Sequence, residues 1–279
     1  MKITKSKEIR YSFNEMSDEK LENLLKKKGG KKIKVILTII TIVVLPLWPA
    51  IPILTIVGYF VFFGVIKNTL EHRRFMRNYA NANNLEFINF INKETLKGRL
   101  FSIGHSQLAN NAITGKYIDN SIRIFNYSYT VGSGKNSRTS RFTVCEVEIE
   151  KTQFPHIFLK SDSMWRHSKK DAFGQDKDVR IKLNKEFEDK FELYATQDYE
   201  IEVLQIFTPE LLKILTDQGS HFSIEFAENK IYFYDDLVIK KHSQLENLYS
   251  VVKKVLDSSG PLLHRLHDDF DAMHQSYRK

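Results

Sequence analysis

The sequence predicts an α+β protein in which an N-terminal transmembrane helical hairpin is followed by a mainly antiparallel β domain with packed helices. The hairpin is predicted by an uncharged apolar run of 32 residues, Val35 to Ile66, because one helix of that length exceeds a hydrocarbon core of about 30 Å. Alternating apolar and polar residues in the middle of the chain predict the strands, and apolar residues at helical spacing predict the helices. The 279 residues suffice for both parts.

Three prolines divide the apolar run. Pro46, Pro49 and Pro52 lie near its middle, where proline interrupts a helix. They favour two helical arms, Val35 to Leu47 and Ile51 to Ile66. Both arms are short for a span of about 20 residues, so a single span and a re-entrant loop stay open as alternatives.

The charge of the chain is concentrated beside this run. Residues 1–77 carry 15 Lys and Arg and 6 Asp and Glu, whereas the remainder carries 27 and 28. Cations on both sides of the run place both ends in the cytoplasm by the positive-inside rule. The sequence therefore predicts a multi-pass membrane protein with a cytoplasmic domain. Because that domain is nearly neutral, nucleic acid is excluded as a partner.

Five segments follow from these patterns. They are a basic N-terminal segment with a short amphipathic helix (1–34), the transmembrane hairpin (35–66), a linker helix (67–84), the α+β domain (85–258) and an amphipathic C-terminal tail (259–279).

Strand and helix patterns fill the domain in order. The early strands Ala112 to Ile118 and Ser121 to Thr130 meet at the turn signal Asp119-Asn120, and Arg141 to Glu150 is a third strand. The further predicted strands are 155–159, 179–183, 191–194, 221–226 and 230–234, and the further helices are 198–207, 209–217 and 243–256.

The glycine-rich loop Gly132-Ser-Gly-Lys135 resembles part of a phosphate-binding loop. It lacks the first glycine and the hydroxyl residue of that motif, where Tyr129 and Asn136 stand. A strand follows it, whereas the motif requires a helix. We therefore interpret it as a hairpin loop.

Three cations lie in or beside this loop with no acid among them. Lys135, Arg138 and Arg141 are candidates for binding anionic lipid head groups at the inner leaflet. The alternative is a solvated loop tip.

Several stretches resemble those of uncharacterised bacterial membrane-anchored proteins that carry a domain of unknown function. These stretches are Ile113–Tyr117, Ile124–Thr130, Phe154–Leu159, Glu186–Tyr194, Phe207–Leu212 and Phe222–Phe226. The resemblance covers most of residues 65–260. It implies a membrane-anchored protein of the bacterial inner membrane and assigns no activity and no catalytic residue.

The C-terminal tail contains the strongest metal-ligand pattern. His267, Asp271 and His274 have the i, i+4, i+7 spacing that places them on one helix face, and imidazole and carboxylate are ligands for zinc or similar ions. An ordinary amphipathic helix explains the same spacing without metal. No complete cofactor motif is present, so no cofactor is predicted.

No local pattern forms a catalytic constellation. Cys145, the single cysteine, lies in an alternating run typical of a strand, and the pairs Asp235-Asp236 and Asp268-Asp269 are interpreted as solvated charges. The leading hypothesis is a non-enzymatic domain that binds a protein partner or lipid head groups. The alternative is a membrane-tethered hydrolase whose site is assembled across the fold around one of the histidines 105, 156, 167 or 221 beside acids.

Overall fold

The computed structural model describes residues 22, 35–36, 38–39, 50–150, 152–162, 178–197 and 199–276, with the side chains of 50–56, 59, 202 and 261–276 excepted. The chain divides into two compact units, one ending at Tyr79 and the other beginning at Ala80. The second unit contains the sheet.

Within the described residues, nine strands form one antiparallel sheet in the order β1-β2-β3-β4-β9-β8-β5-β7-β6. The strands are β1 (Glu86–Phe90), β2 (His105–Tyr117), β3 (Asn120–Val131), β4 (Arg138–Glu148), β5 (Phe154–Ser161), β6 (Asp178–Ile181), β7 (Phe191–Thr196), β8 (Ser223–Glu228) and β9 (Lys230–Asp235). The first four strands form a meander, and the late hairpin β8-β9 lies between that meander and β5.

Helices cover one face of this sheet, which we call the helix face. The helices that follow the early strands are α2 (Lys185–Glu188), α3 (Glu200–Ile206), α4 (Pro209–Gln218) and α5 (His242–Ser276). Both α3 and α4 contact α5. Phe207, at the end of α3, packs edge-on against Phe226 of β8, with ring centroids 6.0 Å apart. Ile124, Cys145 and Phe233 are among the fully buried side chains that neighbouring strands contribute to the same face.

Residues 92–103, which we call the strap, cover the opposite face, the strap face. The strap contains two short 3-10 helices, Lys93–Thr95 and Arg99–Ser102. Phe101 packs against four aromatic rings of the sheet, with centroids 4.9–6.2 Å apart. These rings belong to Phe125, Tyr127, Tyr232 and Tyr234. The strap therefore gives the sheet a second, partly aromatic core.

The local predictions around the glycine-rich loop are confirmed. β3 and β4 pair without interruption from Ser121–Glu148 to Val131–Arg138, so Gly132 to Ser137 close a hairpin. Before it, Ile118 and Asp119 both have positive φ, of 48° and 62°, which is the backbone of a tight two-residue hairpin turn. Helix α4, which was predicted at 209–217, begins after Thr208, whose Oγ1 accepts a hydrogen bond of 3.3 Å from the Leu211 amide.

The predicted transmembrane hairpin is wrong. Helix α1 (Ala50–Ala82) runs without a break from the predicted second arm through the predicted linker helix. Among the residues that the structure describes, no helix combines the length and apolarity that a membrane crossing requires. Of the predicted first arm, Val35 to Leu47, only residues 35–36 and 38–39 are described. This finding overturns two predictions, the α+β class with a transmembrane hairpin and the multi-pass location in the inner membrane. The structure instead shows a β-rich unit with one antiparallel sheet.

The C-terminal boundary also differs from the prediction. The closing helix and the tail were predicted as separate segments that meet near residue 258, whereas α5 runs unbroken from His242 to Ser276. Its first half provides a buried apolar stripe that includes Leu245, Leu248, Val252 and Val255.

Candidate functional site

A fully buried carboxylate lies at the centre of the strap face. Glu225 of β8 has no exposed side-chain surface. Its Oε1 accepts hydrogen bonds from the Arg99 amide at 2.9 Å and from His156 Nε2 at 2.7 Å. Its Oε2 accepts from the Tyr234 hydroxyl at 2.5 Å and from the Arg99 amide at 3.1 Å. Burying a charge is costly unless donors surround it, and here three groups from separate segments do so.

A second acid extends this cluster. Asp178, the first residue of β6, forms an ion pair with the Arg99 guanidinium, and its Oδ2 lies 3.7 Å from His156 Nδ1. His156 of β5 therefore lies between Glu225 and Asp178. The side chain of Asp178 is 2% exposed, whereas those of His156 and Arg99 are 20% and 19% exposed. We call Arg99, His156, Asp178, Glu225 and Tyr234 the strap cluster.

A parallel ionic group lies two strands away. Glu146 of β4 accepts hydrogen bonds from Arg123 Nη2 at 2.8 Å and from Lys230 Nζ at 3.0 Å. Tyr232 lies between Glu146 and Glu225 in the strand register, and its hydroxyl accepts a hydrogen bond from the Lys97 amide at 3.0 Å. The strap is thus held to the sheet by backbone amides that donate to side chains of β8 and β9.

The tyrosines of this face stay protonated at physiological pH. Burial, reinforced by the neighbouring carboxylates, raises the pKa of Tyr234 well above its ordinary value, and burial raises that of Tyr232. Tyr234 is therefore a permanent donor to Glu225. Every bond of the Glu225 carboxylate is made within the protein, so its first role is to fix the strap on the sheet.

The strap approaches the sheet at Gly98. A Cβ atom at this position would overlap the Tyr234 hydroxyl and lie 2.8 Å from Glu225 Oε2. We expect Gly98→Ala to lower the free energy of unfolding by about 1–3 kcal/mol, the usual effect of overpacking, as measured by urea denaturation. Gly260→Ala is the matched control, because nothing lies within 4 Å of its Cβ position inside α5. An equal change in both variants would show that the close approach at Gly98 is unimportant.

A second histidine–carboxylate group lies where β9 ends. Asp235 is 4% exposed, and its Oδ1 accepts a hydrogen bond of 3.0 Å from the Leu237 amide. His221 Nε2 lies 3.8 Å from Asp235 Oδ2. Burial raises the pKa of Asp235 to about 7, and burial lowers that of His221. Thr143 fixes the following loop, because its hydroxyl donates to the Leu237 carbonyl and accepts from the Ile239 amide.

The third candidate is an exposed apolar surface formed by Ile201 and Leu204 of α3 and by Tyr199, the residue that precedes the helix, which we call the α3 surface. Ile201 is 71% exposed and Leu204 is 48% exposed, although the same helix buries Val203 and Ile206 completely. Apolar residues therefore occupy both sides of α3. The neighbouring helices follow the usual rule, because the exposed positions of α4 and of the described first half of α5 include Lys213, Asp217, Glu246 and Lys253.

The three cations that were predicted to bind lipid are exposed, but their side chains point to different sides of the sheet. Lys135 lies in the 3-10 turn at the hairpin tip, and Arg138 and Arg141 lie on β4. Because side chains alternate along a strand, Arg138 is on the strap face and Arg141 is on the helix face. The structure does not bring the three onto one surface, and lipid binding by them stays a prediction.

The predicted metal ligands His267, Asp271 and His274 lie on α5, in the part whose side chains are outside the described residues. Among the residues that the structure describes, no three His, Cys, Asp or Glu side chains are grouped to hold a metal ion. The predicted metal site therefore stays a prediction. The described acidic pair, Asp235-Asp236, was predicted to be solvated, and this interpretation is wrong for the buried Asp235.

The remaining candidates from the sequence are the single cysteine and two of the histidines. Cys145 is buried on β4, and burial raises the pKa of its thiol well above the ordinary value, so it is the strand residue that the pattern predicted. His105 is exposed and its Nε2 lies 2.8 Å from the Gly132 carbonyl oxygen. His167 lies outside the described residues.

Comparison with known proteins gives a fold likeness. No protein-family model matches the sequence, and no curated protein matches it significantly. Among solved structures, the mycobacterial trehalose monomycolate transport factor A, TtfA, is similar with a TM-score of 0.50 and 10% sequence identity, over 67% of this chain and 94% of that chain. At this identity the likeness shows the fold alone.

Proposed function

We propose that the chain is a non-enzymatic binding domain whose ligand is another protein. The observation that carries the proposal is the α3 surface, where Ile201 and Leu204 are exposed one helical turn apart on a helix whose other side is already buried. Single exposed apolar residues need no explanation, but an adjacent group of them is typical of an interaction site. Buried in an interface, an isoleucine of this exposure contributes about 1.5–3 kcal/mol.

The strap cluster favours the same conclusion. The Glu225 carboxylate accepts bonds from Arg99, His156 and Tyr234 and has no exposed surface. A general acid or base needs a bond to substrate, and this carboxylate has no free position for one. Its bonds instead join the strap to three strands, as in a structural polar core.

A hydrolase centred on His156 is the second candidate. Its support is geometric, because His156 lies between two buried acids, 2.7 Å from Glu225 and 3.7 Å from Asp178, and keeps some exposed surface. Under this reading Glu225 orients the imidazole. A His156→Gln variant that stays folded and loses a measured hydrolytic activity would favour the hydrolase.

The similar solved structure is described as a transport factor. This description is of a protein that serves transport and is compatible with a binding role. It concerns that protein, and the proposal for this chain rests on the α3 surface.

Photo-crosslinking at α3 tests the proposal. A photoreactive phenylalanine analogue at exposed Gln205, beside Leu204, is expected to crosslink to a defined protein in the cells that produce the chain. Adding Ile201→Ser is expected to weaken that crosslink about tenfold or more, the effect of losing 1.4 kcal/mol or more of binding energy. The readout is the yield of the crosslinked species.

The control places the same analogue at exposed Asp217 of α4, where little crosslinking is expected. Equal yields from both positions, or a yield at Gln205 that Ile201→Ser leaves unchanged, would overturn the proposal. Lys213→Ser serves as the matched polar substitution for Ile201→Ser.

A further inference from the structure

We infer that the partner docked on the α3 surface is a cationic amphipathic segment of a protein, which lays an apolar stripe on Ile201 and Leu204 with lysine or arginine beside it. This inference rests on the proposed function and adds the chemistry of the partner. It is carried by the charge around the apolar residues.

The segment that contains α3 is rich in acids, although Lys190 and Lys213 flank it. Residues 191–212 contain five Asp and Glu and no Lys, Arg or His. Glu200 is exposed at the start of α3, directly beside Ile201, and Glu210 is exposed at the start of α4. Neither acid forms an ion pair within the described part of the chain. Glu192 differs, because Lys160 Nζ bonds to it at 2.5 Å.

This local charge opposes that of the whole chain. The chain carries a formal net charge of +8, whereas the residues from Ala80 onward carry 27 Lys and Arg and 28 Asp and Glu, so the nearly neutral unit that contains α3 exerts little long-range attraction on a cationic ligand. A cationic ligand that binds must therefore respond to the acids near α3, at distances below a Debye length of about 8–10 Å. For that reason, selective binding of a cationic peptide at the α3 surface is a strong test of the inferred partner chemistry.

The shape of the surface fits a helix or short segment with apolar residues at helical spacing. Ile201 and Leu204 are separated by one turn of α3, and Tyr199 precedes them at the beginning of the helix. A partner helix presents matching residues at i, i+3 or i+4. Aromatic and aliphatic anchors supply most of the binding energy, and the surrounding charges supply specificity and association rate.

The same acids disfavour an anionic lipid surface as the occupant. Anionic head groups attract cationic segments and repel acidic ones, so inserting Ile201 into such a surface brings Glu200 towards like charge. A protein segment that carries lysine or arginine satisfies both the apolar and the acidic parts of the α3 surface.

The test compares two synthetic amphipathic peptides on the full chain by fluorescence anisotropy. Both have the same leucine face, and the polar face carries lysine in one and glutamate in the other. The lysine peptide is expected to bind at least tenfold more tightly, and its affinity is expected to fall as salt is raised. Ile201→Ser is expected to weaken it about tenfold, and Glu200→Lys several-fold.

Controls separate the partner chemistry from the proposed function. Glu246→Lys makes the same charge change on the exposed side of α5 and is expected to leave the affinity unchanged within about twofold. Equal binding of both peptides, or equal loss from Glu200→Lys and Glu246→Lys, would overturn the cationic partner. Binding to phosphatidylglycerol vesicles that requires Ile201 would also overturn it and assign the surface to lipid.

The proposed function has its own readout. If crosslinking at Gln205 still depends on Ile201 while the peptides show no charge preference, the protein-binding role stands and the cationic partner is wrong. If crosslinking at Gln205 fails its control, the α3 surface is not a protein-binding site and both conclusions are wrong.

Discussion

Glu225→Ala is expected to lower the free energy of unfolding by about 3–5 kcal/mol, because it leaves several buried hydrogen-bond donors without an acceptor, at about 1–3 kcal/mol each. The substitution removes the acceptor of three donors. These donors are His156 Nε2, the Tyr234 hydroxyl and the Arg99 amide, which donates to both oxygens of Glu225. The strap is therefore expected to detach from the sheet, as measured by urea denaturation and by hydrogen exchange of the Arg99 amide.

Two further variants make this prediction specific. Glu225→Gln keeps one oxygen acceptor for the Arg99 amide and is expected to cost less than Glu225→Ala. Glu228→Ala removes an acid from the same strand whose side chain is 52% exposed and lies 3.6 Å from Lys97 Nζ, and such pairs contribute at most about 1 kcal/mol. A Glu225→Ala variant no less stable than Glu228→Ala would contradict a clamping role.

The hairpins β2-β3 and β3-β4 could be predicted from sequence because their signals are local. Residues 121–130 alternate apart from the adjacent apolar pair Ile124-Phe125, and the turns on either side carry residues that accept positive φ, such as Asp119 and Gly132. Hairpin partners lie a few residues apart, so pattern and turn chemistry determine the register. The position of the β8-β9 hairpin between β4 and β5, and the pairing of β5 with β7, depend on contacts between more distant segments, which no local pattern contains.

The strap cluster could not be predicted for a physical reason. In β8, Ser223, Glu225 and Ala227 alternate with Ile224 and Phe226, which is the pattern of a strand with one solvated face. Glu225 is buried only because the strap, which follows β1 more than 120 residues earlier in the sequence, lies over that face. The one available signal was Gly98 in a charged segment, since glycine permits close backbone approach.

The error in the fold class has an equally physical origin. The three prolines near the middle of the apolar run were interpreted as breaking a helix pair, but Pro52 falls in the first turn of α1. Proline is tolerated there because the amides of the first turn have no helical acceptor. The helix then continues through Lys67 and past the predicted end of the second arm to Ala82.

Asp235→Asn is expected to stabilise the protein at alkaline pH by about 4 kcal/mol and to have little effect near pH 4. Burial raises the pKa of Asp235 from its ordinary 3.8 to about 7, and each pH unit of difference corresponds to about 1.4 kcal/mol. Because the pKa of Asp235 is higher in the folded chain, Asp235 stays protonated there at pH values at which it has already lost its proton in the unfolded chain. The stability from this group is therefore complete below about pH 4 and is lost as pH rises through about 7.

Asparagine is a suitable replacement because it is neutral at every pH and keeps the oxygen that accepts the Leu237 amide hydrogen bond. His221 acts in the opposite direction, since burial lowers its pKa and its contribution is lost as pH falls below its ordinary 6.5. Comparing Asp235→Asn with the unmodified chain at each pH cancels most of that second contribution. Urea denaturation at pH 5, 6, 7 and 8 is expected to show a difference that grows with pH and levels off above about pH 7.

The matched control is Asp119→Asn, which makes the same chemical change at an exposed hairpin turn. This turn position has positive φ, which asparagine and aspartate both accept, so a change of at most about 0.5 kcal/mol is expected at every pH. A pH-independent difference for Asp235→Asn would mean that the Asp235 carboxylate is ionised in the folded chain throughout this range. The loop that carries exposed Leu237 would then be held at Asp235 by a charged acceptor, and the pH dependence of stability would have to come from other groups.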